Sequence, residues 1–218
     1  MLRVFAEHKK DYIMKTKTIL SIVGLIIVLG ILFSWNRIFP SKPVVTISDP
    51  ATLPGIQLGD APWKPELAHL AERLRAIGLP MLPSEGSAMH IHQHLDIFVN
   101  GQPVPVPADI GINQAAGFIS DIHTHDTSSI IHVESPTIQT FTLGQFFDIW
   151  GVRFTTECIG GYCASGDTSL KVYSNGTLYS GDPRELPLQS HQEIAIVFGT
   201  ATETPQQIPS SYSFPAGY

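Results

Sequence analysis

Hydrophobic and polar positions follow three regimes along the chain. From Thr18 to Phe33 no charged residue occurs, and the apolar run continues through Ser34, Trp35 and Asn36 before Arg37 ends it. That length suits an α-helix crossing the hydrocarbon core, where every backbone polar group must pair within the segment. Residues 18–39 are therefore expected to form a single-pass transmembrane anchor, with Trp35 at the interface. The run has neither a small-x-small cleavage signature nor a lipobox cysteine, which favours an anchor over a removed secretory signal. Lys9, Lys10, Lys15 and Lys17 precede it, while Arg37 and Lys42 follow. This bias puts residues 1–17 in the cytoplasm and the remainder outside the cell membrane. Met14, opening Met-Lys-Thr-Lys, is an alternative start to Met1.

The second regime is irregular. Pro40, Pro43, Pro50, Pro54 and Pro62 break any period, so residues 40–63 read as a proline-rich linker. Leu67, Leu70, Ala71, Leu74 and Ile77 then recur at helical spacing and predict a helix over Pro65–Ile77, ended by Gly78 and Pro80. His69 falls off that stripe and reads as a solvated surface histidine.

From Met89 the period becomes two. His90–Val99, Asn100-Gly101 and the Pro-rich Gln102–Pro107 predict a hairpin with a type I′ turn and an edge strand as its second arm. Phe118–His125 and Ile130–Glu134 read as a second strand pair. Thr142–Trp150 predicts a short helix capped by Thr142. Val152–Glu157, Leu170–Ser174, Thr177–Tyr179 and Glu193–Phe198 supply further strands. Leu95–Gly101 and Leu170–Gly176 repeat one pattern and turn, which two independent hairpins explain. Residues 64–199 are expected to form a mainly β domain of about seven strands with one or two short helices, sandwich- or barrel-like. Residues 200–218, rich in Pro, Ser, Thr and Gln, read as a disordered tail.

Charge narrows the partners. Residues 40–218 carry 7 Lys and Arg against 17 Asp and Glu, a formal net charge of −10. This argues against nucleic acid and against a membrane-hugging basic surface, and it suits a cation. The two cysteines, in Cys158-Ile-Gly-Gly-Tyr-Cys163, predict a disulfide in an oxidising compartment. Their spacing is wider than the usual thiolate knuckle of zinc sites.

The chemistry lies in the histidines. Of nine, six fall between His90 and His132: His90-x-His92-x-His94, His123-x-His125 and His132. Alternation in a strand sends each set to one face. Residues two apart stand roughly 7 Å apart along a strand, so two imidazoles can lean onto one ion and a third at i+4 is harder to recruit. A His-x-His pair completed by a neighbouring strand is the natural solution, giving one site or two adjacent ones. Candidate ligands are His92, His94, His123 and His125, then His90 and His132, for a copper or zinc ion, copper ahead of zinc. Asp96, Asp121, Asp126 and Glu134 can ligate or orient imidazoles. Met81 and Met89 can soften a copper site, though core filling explains them as well. His191 precedes the last strand and reads as a turn histidine.

Nucleophilic catalysis finds no support, since no Gly-x-Ser-x-Gly elbow occurs and the cysteines are paired. Ser120–His125 matches the first motif of a metallohydrolase barrel, but the chain downstream of it reads as β rather than βα. Ala71–Pro80, His90–Gly101, Ile122–Thr127 with Ile130–Pro136, and Cys158–Cys163 together resemble an uncharacterised group of bacterial membrane-anchored extracytoplasmic proteins. The resemblance spans most of residues 65–199 and implies no activity. The leading expectation is extracytoplasmic metal binding for handling or delivery. The rivals are a membrane-anchored metalloenzyme using metal-activated water or copper redox chemistry, and an envelope protein-interaction module whose partner the sequence does not name.

Overall fold

The alternation that begins at Met89 becomes the central strand of the domain. In a computed structural model describing residues 47–218, β1 (Met89–Val99) buries Leu95, Ile97 and Val99 on one face and turns His90, His92, His94 and Asp96 to the other. The anchor expected at 18–39 lies outside the described residues; among these, no helix is long and apolar enough to cross a membrane.

Three strands flank β1. The last strand, β11 (Gln192–Gly199), runs parallel to it over Gln93–Val99. On its other edge, β6 (Ile130–Ser135) pairs antiparallel with Met89–His94, and β2 (Gln102–Val104) pairs antiparallel with Ile97–Val99. Asn100 and Gly101, at φ 49 and 74°, make the left-handed turn that the hairpin requires. Beyond β6 lies β5 (Ile122–His123), and beyond β11 the hairpin of β9 (Ser169–Ser174) and β10 (Thr177–Leu178). Asn175-Gly176 turns that hairpin as Asn100-Gly101 turns the first.

The domain is mainly β, with eleven strands and two α-helices among the described residues. The seven-stranded sheet is mixed and open, in the order β10-β9-β11-β1-β6-β5 with β2 beside β1. The expected sandwich or barrel is replaced by this one sheet and two small ribbons, β3 (Ile112–Asn113) with β4 (Phe118–Ile119), and β7 (Cys158–Ile159) with β8 (Tyr162–Cys163). The physical reason is the parallel β1–β11 pair, which demands a long crossover. That crossover carries the helix at Leu143–Trp150, and with the helix at Leu70–Ala76, which precedes β1, it covers one face, so no second sheet is needed there.

The helices are α1 (Leu70–Ala76) and α2 (Leu143–Trp150). Leu70, Leu74, Phe146, Phe147 and Trp150 share one buried core with Leu95, Ile97, Ile131 and Ile194. The first helix starts later than its apolar stripe, because Glu66 is drawn into tertiary contacts. Its carboxylate pairs with buried Arg73, which also donates to the Asp148 and Ile149 carbonyls at 2.7 and 3.1 Å. The second helix carries the expected cap: the Thr142 hydroxyl accepts from the Gln145 N–H at 3.4 Å, and the Gln145 side chain accepts from the Thr142 N–H at 3.0 Å. Thr142→Ala should cost about 1 kcal/mol of stability, read as a lower urea midpoint with unchanged slope.

Two sequence boundaries shift. Within the expected linker, Leu53 and Trp63 are buried, and Trp63 meets Trp150 edge-on at 6.0 Å. Residues 47–63 of the expected linker thus pack on the core, because their few large apolar side chains find partners there. Val152–Glu157 forms only isolated bridges, from Val152 to Gln57 and from Phe154 to Ile159. Cys158 and Cys163 are bonded across the β7–β8 ribbon. At its turn Gly160 has φ +54°, and a Cβ there would stand 2.3 Å from the Trp63 ring.

Candidate metal centre

Strand register, more than any loop, assembles the histidines. In β1 and β6, His92 stands opposite His132 and His90 opposite Glu134. In β5 and β6, His123 stands opposite His132. One rank therefore runs His123–His132–His92 across three strands, on the face away from the core. Ring centroids are 4.6 Å apart for His92 and His132, and 5.5 Å for His123 and His132. The three rings are buried, whereas His90 and His125 form a more open rim, with side chains 54% and 38% exposed.

Each His-x-His pair closes on itself. His90 Nε2 lies 3.1 Å from His92 Nε2, and His123 Nε2 lies 3.2 Å from His125 Nε2. Donor atoms bonded to one zinc or copper at about 2.0–2.1 Å stand roughly this far apart. The donors of His90, His92, His132 and Glu134 all fall within 4.8 Å of one another, and so do those of His123, His125, His132 and Glu134. His132 and Glu134 belong to both groups. Either group can hold a metal ion.

Hydrogen bonds fix which nitrogens are free. His123 Nδ1 is 3.0 Å from the Ser120 carbonyl, which only accepts, so Nδ1 carries the proton and Nε2 keeps its lone pair. His132 Nδ1 is 3.2 Å from Glu134 Oε1, an imidazole–carboxylate contact of the kind that orients metal ligands.

Electrostatics keeps the rings neutral. Burial, aided by the neighbouring imidazoles, holds His92 and His123 down to about 4 and His132 down to about 3. A ligand must present a lone pair, so protons compete weakly for these three rings at neutral pH. Burial, with Glu85 close by, pushes Glu134 up to about 7.

Five of the six predicted ligands meet here. The sixth, His94, does not join them: its Nδ1 faces Glu193 Oε2 at 2.9 Å and Asp96 Oδ2 at 3.9 Å, forming a separate group. Of the predicted carboxylates, Glu134 joins the centre and Asp96 joins His94. Asp126 instead accepts from the Ser128 N–H at 2.8 Å within its own turn, and buried Asp121 belongs to neither group. Met89 packs against the core and Met81 is surface-exposed, so neither serves the cluster. His69 stands at the start of α1 with its ring against Glu66 and makes no capping bond, and exposed His191 lies outside both groups.

Sequence reasoning missed Glu85, 3.4 Å from His125, and Glu193. It also missed the aromatics of the last segment. Residues 200–218 have neither helix nor strand, yet Tyr218 lies against His92 at 4.6 Å, Tyr212 lies flat on His94 at 3.8 Å and Phe214 meets His191 at 4.9 Å. Polar composition hid three rings that find an imidazole surface to cover. His191 Nε2 donates to the Tyr218 main-chain oxygen at 2.9 Å.

Comparison with protein-family models, curated proteins and solved structures gives no match.

Proposed function

We propose that this protein binds copper or zinc outside the cytoplasm and takes part in metal handling or delivery. The observation that carries this reading is the shared position of His132 between two His-x-His pairs whose Nε2 atoms lie 3.1 and 3.2 Å apart. Imidazole-rich, thiolate-free ligation suits Cu(II) and Zn(II). A buried rank gives retention, and exposed His90 and His125 give a rim where ligands can exchange with a donor or acceptor. The disulfide and the expected anchor at 18–39 support an extracytoplasmic setting at the membrane.

The test is elemental analysis of the full chain purified without a histidine tag, followed by titration with copper and with zinc. At least one equivalent of either metal should co-purify or bind tightly. A chain that arrives metal-free and takes up neither ion at micromolar concentration removes the proposal.

A further inference from the structure

We propose that His94, Asp96 and Glu193 form a second cation site, distinct from the histidine centre and suited to zinc or manganese. The parallel β1–β11 register sets His94 opposite Glu193 and Asp96 opposite Ala195. Ala195 presents only a methyl group, which leaves the space beside Asp96 to the two carboxylates. All three donors fall within 4.8 Å of one another, and none belongs to the groups around His132.

Two carboxylates here face a single imidazole. Glu193 is 1% exposed, its Oε2 meets His94 Nδ1, and its Oε1 has no hydrogen-bond partner. Among the described residues, no Lys or Arg pairs with Asp96 or Glu193. A buried carboxylate without a cation or a full set of donors is strongly disfavoured. A bound divalent ion would take the free Oε1 and set both carboxylates on one positive centre. Tyr212, parallel to the His94 ring at 3.8 Å and 5°, holds the imidazole from outside. Asp96, with its side chain 35% exposed, is the way in. One nitrogen with several carboxylate oxygens is a harder donor set than the imidazoles next door, and it favours zinc or manganese over copper.

The site does not depend on the histidine centre, and the test keeps the two apart. Manganese binding to the full chain is followed by loss of the free-ion EPR signal, and zinc stoichiometry by calorimetry. The comparison uses wild type, Glu193→Gln, and His92→Ala combined with His132→Ala. Glu193→Gln should weaken manganese binding at least tenfold and remove one zinc equivalent. The double histidine variant should keep its manganese. Asp96→Asn, at a more exposed position, carries the same expectation should Glu193→Gln fold poorly. Manganese binding unaffected by either carboxylate variant, lost only with the histidines, or absent from wild type overturns the assignment and leaves a carboxylate pair sharing a proton. Loss of copper from the double variant alone bears only on the histidine centre.

Discussion

Replacing His132 with alanine is expected to weaken copper and zinc binding by at least a hundredfold, more than any other single histidine change. His132 is the one imidazole common to both donor groups, with ring contacts to His92, His123 and His125 at 4.6, 5.5 and 4.5 Å. Without it, each group keeps two imidazoles and loses the ring that bridges them. Losing only an outer partner of a metal ligand already costs about 10–100-fold in affinity, so losing the shared ligand must cost more. His90→Ala and His125→Ala each disturb one group and should have smaller effects. His69→Ala, at the start of α1, should have none. Calorimetric titration of the four variants decides this, with circular dichroism confirming the fold. Equal affinities for His132→Ala and wild type would sink the shared-ligand arrangement.

The arrangement around His132 was half legible. Alternation along His90–Val99 is a local property, so it assigned the histidines to one face and Leu95, Ile97 and Val99 to the other, as observed. The 7 Å repeat of a strand also indicated that two imidazoles can lean together while a third at i+4 cannot easily follow. The sequence favoured His92 with His94, however, whereas the pair that closes is His90 with His92 and His94 goes elsewhere. Which partner each ring meets is a matter of register between strands, and register is not written in either strand alone. Glu193 shows this most clearly. It opens an apolar strand 99 positions from His94 in the chain, yet the parallel pairing sets the two side by side.

The fold was legible to the same depth. The Asn-Gly turns, the Thr142 cap and the cysteine pair are short-range signals with specific backbone requirements, and all three are observed. Proline density in 47–63 and polar composition in 200–218 suggested chain that packs on nothing. Single large residues overrode that average: Trp63 enters the core, and Tyr212, Phe214 and Tyr218 settle on histidines. A handful of aromatic contacts can dock a segment whose mean composition is polar.

Those buried rings make the metal-free protein sensitive to acid. Its stability should fall as pH drops from about 6.5 towards 3. An unfolded histidine titrates near 6.5, whereas burial and the neighbouring imidazoles hold folded His92 and His123 at about 4 and His132 at about 3. Within that window the unfolded chain binds more protons, so stability is complete above it and is lost as pH descends through it. Shifts of about 2.5 to 3.5 units correspond to roughly 3 to 5 kcal/mol each. Mutual repulsion is shared among the three rings, so the total is less than three such contributions. Glu134 opposes them: raised to about 7 by burial and by Glu85, its contribution is present at low pH and lost as pH rises from 4.5 through 7. One carboxyl against three imidazoles leaves a net loss of several kcal/mol on acidification. Urea midpoints of the metal-free chain at pH 7.5, 6.5, 5.5 and 4.5 should therefore decline steadily. Saturating zinc should hold the midpoint high until protons displace the ion, and His123→Gln should flatten the slope of the metal-free series. A midpoint constant from pH 7.5 to 4.5 would mean that the rings are hydrated and charged in the folded state, against the burial that defines the centre.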